Sequence, residues 1–199
     1  RSGEYVAYEC QNPFCQAKLK RHLEVFVSRQ ALNIQGLGPK LISKLVDAGF
    51  VKDIADLFYL DVYMLSQIDG VGPKMISNLL SEIEKAKNAS LDRLIIGLGI
   101  PGVGEKTAKV LAKKYTTIDD LSNAQVDDLM QIEGIGEEVA NSIVSYFNSD
   151  KAREIIKKLK QAGVKAESIV KEENNILSGL TFCVTGTLKH FSREEIKNY

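Results

Sequence analysis

Ile34-Gln35-Gly36-Leu37-Gly38, Ile68-Asp69-Gly70-Val71-Gly72, Ile100-Pro101-Gly102-Val103-Gly104 and Ile132-Glu133-Gly134-Ile135-Gly136 are four copies of one pattern: isoleucine, any residue, glycine, an apolar residue, glycine. Their first glycines, at 36, 70, 102 and 134, lie 34, 32 and 32 residues apart. Self-similarity at a fixed period marks an array of one supersecondary unit. Two glycines flanking one apolar residue specify a tight turn, and the apolar periodicity on either side specifies helices. A turn of this kind leaves backbone N–H groups exposed at a helix start, where an anion binds readily. If that anion is a nucleic-acid phosphate, binding follows the backbone and ignores base sequence.

Working outward, the helices leaving the turns carry small or apolar residues at matched positions. These are Ile42, Ile76, Ala108 and Ala140, followed by Leu45, Leu79, Leu111 and Ile143. The segments entering the turns supply Leu32, Leu65, Leu98 and Leu129. A unit of about 30 residues cannot bury its own apolar face, so the units are expected to pack in pairs. Asp53-Ile54-Ala55-Asp56, Thr117-Ile118-Asp119-Asp120 and Ser122-Asn123-Ala124-Gln125 read as helix starts, each with an acceptor side chain first. Gly49 and Gly163 stand where helix C-termini favour a left-handed residue.

Before the array, a helix is expected from about Gln16 to Arg29, with Leu19, Leu23, Phe26 and Val27 on one face. After it, a helix over roughly Lys151 to Ala162 turns Ile155, Ile156 and Leu159 inward and Lys157, Lys158 and Lys160 outward. Residues 165–175 are polar and read as a linker. The run Leu177 to Gly186 is apolar and strand-like, and Ser192-Arg193-Glu194-Glu195 is a capping box. The array is all-α, and four segments follow: 1–29, 30–164, 165–175 and 176–199.

Composition sets outer bounds. Of 199 residues, 44% are apolar and 26% charged, the balance of an ordinary globular chain. No apolar run is long enough to span a bilayer, so no membrane partner is expected. Three cysteines do not build a disulfide framework, and a reducing, cytoplasmic compartment is the expectation. Net charge is zero, but unevenly distributed. From Arg93 to Ile118 there are five basic residues (Arg93, Lys106, Lys109, Lys113, Lys114) against Glu105 alone; from Asp119 to Asp150 there are eight acids and no lysine or arginine. Phosphate contact is therefore expected to be unequal among the copies. Two residues after the second glycine stand Lys40, Lys74 and Lys106, but Glu138 in the fourth copy. A lysine there adds a charge beside the backbone donors, and a carboxylate repels the same phosphate. The candidate phosphate contacts are Gly36, Gly38, Lys40, Gly70, Gly72, Lys74, Gly102, Gly104, Lys106 and Lys109. The seven tyrosines and seven phenylalanines show no paired spacing for base stacking, which argues against single-strand recognition.

Cys10 and Cys15 leave three readings open: two buried thiols, a redox pair, or half of a zinc site. Tetrahedral zinc takes four ligands, and residues 1–9 hold no further Cys or His. His22 is a conceivable third ligand, although a solvated position on its helix is the plainer reading.

The four Gly-x-Gly turns in their apolar frame resemble the helix-hairpin-helix motif, which binds DNA backbone. Cys10-Gln11-Asn12-Pro13-Phe14-Cys15-Gln16-Ala17 and Phe26 through Gly38 further resemble the bacterial NAD-dependent DNA ligase family. In that family a four-cysteine zinc finger leads into four helix-hairpin-helix motifs, then a linker and a BRCT domain. The resemblance makes Cys10 and Cys15 the second pair of zinc ligands, a half-site without the first. It makes Gly179 to Leu188 the opening strand and turn of a truncated α/β BRCT domain, in which Thr185 and the Gly186 backbone stand at a phosphate-contacting position. Cys183 there reads as a small packing residue, and His190 carries no role. The family seals nicks in duplex DNA during replication and repair, using NAD and Mg through upstream domains in cis. By that resemblance this segment would grip nicked duplex DNA at the nucleoid and be catalytically silent alone. Two rivals stand beside it. Ile100 to Ala108 also resembles the hairpin of base-excision glycosylases, whose nucleophilic lysine would match Lys106, with Asp119, Asp120, Asp127 or Asp128 as the partner acid. The other rival is a helix-hairpin-helix binding module of a different repair protein, which would need neither the cysteine lead-in nor the BRCT start.

Overall fold

The computed structural model describes residues 15–165 and Glu167. Cys10, the rest of the lead-in, nearly all of the linker and the strand-like run from Leu177 onward lie outside the described residues. Within them the chain is helical and forms no β-strand, only an isolated bridge between Thr117 and Glu167. Ten α-helices follow in order: α1 Gln16–Val27, α2 Pro39–Asp47, α3 Val62–Ser66, α4 Pro73–Ala86, α5 Leu91–Leu98, α6 Glu105–Lys114, α7 Ile118–Ser122, α8 Val126–Met130, α9 Glu137–Asn148 and α10 Asp150–Gln161. A 3₁₀ helix, Ile54–Tyr59, stands between α2 and α3.

The four turns lead into α2, α4, α6 and α9. Every residue expected inward from the repeat is buried: Leu32, Leu65, Leu98 and Leu129 on the entering side, Ile42, Ile76, Ala108, Ala140, Leu45, Leu79, Leu111 and Ile143 on the leaving side. The entering helices are uneven. α5 has eight residues, α3 and α8 have five, and the first copy has a bend instead: α1 ends at Val27, and residues 28–33 turn with Asn33 in the left-handed region at φ 53°. The guanidinium of Arg93 ties down this bend. Its Nε donates to the Ala31 carbonyl and one terminal nitrogen to that of Arg29, both at 2.6 Å. Arg93, counted among the basic residues of the third copy, is thus a strut between α5 and the bend.

Adjacent turns pack in pairs. Gly36 of the first lies against Leu79 of α4, and Gly70 of the second against Lys44 of α2. Gly102 of the third lies against Val139 of α9. Both pairs use the same device: the Lys44 ammonium donates to the Asp69 carbonyl, and the Ser142 hydroxyl to the Pro101 carbonyl at 2.8 Å. Each donor stands six residues after its own second glycine, and each acceptor stands just before the partner's first glycine.

Three ties join the pairs. α1 packs on both α2 and α5. The Lys87 carbonyl accepts from Lys165 and the Leu91 amide donates to Glu167, stitching the connection between the pairs to the segment after α10. α10 packs on α9 and on the 3₁₀ helix. Lys158 of α10, expected outward, is half-buried there. Its ammonium donates to Asp53 at 2.6 Å and Asp56 at 2.5 Å. Burial works against its charge, but the two carboxylates outweigh that and hold its pKa above the ordinary lysine value. Lys160 is also engaged, with Asp119 at 2.5 Å.

Of the expected helix starts, Asp53 caps the 3₁₀ helix and Thr117 caps α7, each in a full capping box. Ser122 does not start a helix: it ends α7, its hydroxyl donating back to the Asp119 carbonyl, and α8 begins after Gln125 without a side-chain cap. Gly49 and Gly163 take the left-handed conformation expected after α2 and α10.

His22 sits in the seam between α1 and α5, not in solvent. Its Nε2 lies 3.0 Å from the Gly97 carbonyl, which can only accept, so Nε2 carries a proton. Burial lowers its pKa below 6.5, with Lys151 adding to the effect, while hydrogen bonds to the Gly97 and Leu98 backbone oppose it less strongly. The unfolded chain therefore binds a proton here more readily than the folded one. Stability is expected to be full above pH 6.5 and to decline as pH falls below it, until the lowered folded pKa is passed. Urea midpoints between pH 7.5 and 5.5 measure this, and His22→Gln, which keeps a donor for Gly97, should flatten that part of the profile.

Candidate nucleic-acid interface

The site is a set of helix starts, and its geometry follows from the paired glycines. The first glycine of each copy is left-handed, at φ 90°, 81°, 77° and 86° for Gly36, Gly70, Gly102 and Gly134. In the last three copies the apolar residue between the glycines donates to the isoleucine carbonyl three residues back (3.2, 3.0 and 3.1 Å). That bond and a positive φ at the third position define a type II turn, which requires glycine there. The fold demands the first glycine.

It does not demand the second. Gly38, Gly72, Gly104 and Gly136 are extended N-cap residues, at φ −82°, −87°, −97° and −88°. A Cβ built on any of them meets nothing within 4 Å. Serine, threonine, aspartate or asparagine caps a helix better than glycine. Four helix starts thus forgo a side chain in open space. The amides of the second glycine and of the residue two places on have no acceptor among the described residues. The corners therefore present unsatisfied donors at the positive end of a helix dipole.

Lys40, Lys74 and Lys106 are exposed in the first turns of α2, α4 and α6, and no carboxylate of the described residues forms an ion pair with them. Lys109 is engaged: its ammonium donates a hydrogen bond to Glu105, one helical turn back, at 2.7 Å, and the carboxylate raises its pKa. The fourth corner presents Glu137 and Glu138 in the same place. Between the first two corners lies an open cleft of about 700 Å³ that brings Gly36 together with Gly72 and Lys74. Lys85 lines it too, paired with Glu82 at 2.7 Å. The repeat gave no signal for Lys85, which stands far along α4 and reaches the cleft only through packing of the pair.

Cys15 is half-buried immediately before α1. His22, the conceivable third ligand, is held in the α1–α5 seam with its Nε2 on the Gly97 carbonyl. Among the described residues no three His, Cys, Asp or Glu side chains group as a metal site. Lys106, the candidate nucleophile of the alternative reading, stands exposed at a helix start, not in the desolvated pocket that is one way of activating a lysine. Of its candidate partner acids, Asp119 holds Lys160 and Asp120 closes the Thr117 capping box. No helix of the described residues is long and apolar enough to cross a membrane.

Residues 28–85 match the family described as SAM-like helix-hairpin-helix tandem, and residues 93–156 the helix-hairpin-helix motif family. These ranges coincide with the two pairs of turns. Proteins named DNA ligase match the chain almost end to end. That of Fervidobacterium nodosum is 67% identical over 198 residues, covering 100% of this chain and 29% of its own length. The Thermosipho africanus protein is 55% identical, covering 98% of this chain and 30% of its length, and the Pseudothermotoga lettingae protein is 57% identical, covering 98% and 29%. The chain thus spans under a third of the relatives it matches. Tandem helix-hairpin-helix units with this end-to-end identity place the chain in the bacterial DNA ligase family, as its C-terminal, hairpin-bearing part.

Proposed function

We propose that the chain binds the sugar–phosphate backbone of duplex DNA at a nick, without reading sequence, for a ligase that seals the break. Gly38, Gly72 and Gly104 lend their amides to phosphates, and Lys40, Lys74 and Lys106 add charge beside them. The observation that carries this reading is the open space at the second glycines. Nothing inside the protein needs that space, and a phosphate approaching the backbone does. Lys109 contributes to the potential of the third corner, although Glu105 offsets much of its charge. The fourth corner serves chiefly in packing.

The relatives' name points to DNA joining as the activity of the whole protein; the resemblance in the cysteine and hairpin stretches is what supports NAD as the source of the adenylyl group and Mg as the metal. Double-stranded DNA and the remaining ligase domains in cis are the partners of this part, and the bacterial nucleoid its setting. Cys10 and Cys15 would supply two thiolates to a structural zinc. Backbone-only contact suits an enzyme that must act at any sequence, because phosphates look alike everywhere.

Gly72→Ser and Gly104→Ser test the reading. Serine is a better N-cap than glycine by a few tenths of a kcal/mol, so thermal stability should hold or rise slightly. The added side chain should nevertheless weaken binding to a nicked 20-mer severalfold. Undiminished binding by both variants, or amide shifts of Gly38, Gly72 and Gly104 that do not move on adding duplex in dilute buffer, would remove this function.

A further inference from the structure

Lys158 is held by the 53–59 segment at three points. Its ammonium reaches Asp53 at 2.6 Å and Asp56 at 2.5 Å, and its own carbonyl accepts from the Tyr59 hydroxyl at 2.9 Å. The two carboxylates are not loose. Asp53 already accepts from the amides of Ala55 and Asp56, and Asp56 from those of Lys52 and Asp53. Their side chains are only 16% and 18% exposed, and that of Lys158 25%. The contact joins residues more than a hundred positions apart. It lies where α10, packed on α9 of the second pair, meets the 3₁₀ helix that packs on α4 of the first.

The other lateral seam, where α1 meets α5, buries Leu23 and Phe26, with Phe26 edge-on to Phe58 at 6.2 Å between centroids, and adds hydrogen bonds to backbone carbonyls from His22 and Arg93, but no ion pair between the two helices among the described residues. Apolar contact is non-directional and tolerates a small rotation. Charge-assisted hydrogen bonds to two carboxylates that are themselves fixed do not. A duplex is a rigid rod, so corners on two bodies engage it together only if their mutual angle is set beforehand.

We propose that Lys158, clasped by Asp53, Asp56 and Tyr59, is a positioning residue: it fixes the angle between the two hairpin pairs so that both meet one duplex, although it touches no DNA itself. This rests on the backbone-binding reading above. Lys158→Met is the informative variant, since it keeps the aliphatic stem and leaves the capping box of the 3₁₀ helix intact. Lys158→Arg, able to serve both carboxylates, is the rescue.

Affinity of the full chain for a nicked duplex is measured across salt concentrations, with circular dichroism and urea unfolding on the same samples. The expected result is that Lys158→Met retains its helicity, binds about tenfold more weakly, and loses about one unit of log–log salt slope per phosphate released. Lys158→Arg restores both. Loss of folded protein alone lowers the active fraction and leaves the slope of the remainder unchanged; that outcome overturns the proposal, as does unaltered affinity. If Lys158→Met fails to fold, Tyr59→Phe, which removes one hydrogen bond, must shift the slope in the same direction, or the proposal fails. If the unaltered chain does not bind duplex at low salt, it is the backbone-binding reading that fails instead.

Discussion

Reversing the charge at Lys74 and Lys106 together is expected to weaken duplex binding by on the order of a hundredfold, whereas Glu138→Ala should change it by less than about twofold. Both lysines stand exposed at helix starts without a carboxylate partner among the described residues. Each would otherwise neutralise a phosphate, and a glutamate in its place repels that phosphate. A tenfold loss per site corresponds to about 1.4 kcal/mol. The salt slope should fall by about one unit per lysine, and the loss should be uniform across DNA sequences. Folding should not suffer, because a carboxylate in the first turn of a helix favours the macrodipole. Gel-shift titrations at several salt concentrations decide the matter, and equal effects at Lys74, Lys106 and Glu138 would refute the unequal division of labour among the corners.

Gly97→Val is expected to cost about 3 kcal/mol of stability, the largest folding effect among the glycines of the array. A Cβ at Gly97 would lie 2.8 Å from the Phe26 ring and 3.0 Å from Leu32. Phe26 is fully buried and Leu32 nearly so, leaving neither room to yield. Helix propensity favours the larger residue by a fraction of a kcal/mol at most, which does not offset the overlap. The seam between α1 and α5 would have to open, taking the His22 hydrogen bond with it. Urea unfolding should show a lower midpoint at an unchanged m-value. Gly38→Ala, with nothing within 4 Å, is the control expected to leave the midpoint nearly where it was.

The repeat was legible because its constraints are local. A left-handed turn admits glycine almost alone, and an amphipathic helix repeats every three to four residues, so matched buried positions could be read from spacing. The corners followed, since a helix start exposes amides wherever it stands. What escaped the sequence depends on partners far along the chain. Arg93 reads as part of a basic patch until it is found under the Ala31 and Arg29 carbonyls, more than 60 residues away. Lys158 reads as a solvated charge until Asp53 and Asp56 are seen beside it. His22 reads as solvated until α5 is laid against α1. Ser122 carries the chemistry of a cap, but α7 had already claimed it. Composition along the chain says nothing about which charges tertiary packing consumes.

The contrast between the two glycines of each corner bears on how such a protein changes over generations. One member of each pair is bound by architecture, so drift there is punished by misfolding. Its neighbour two places on carries no such constraint and, on the proposed reading, answers only to the ligand. Heritable tuning of grip strength is thereby uncoupled from robustness of the scaffold, and selection can loosen or tighten one contact without renegotiating the rest of the molecule.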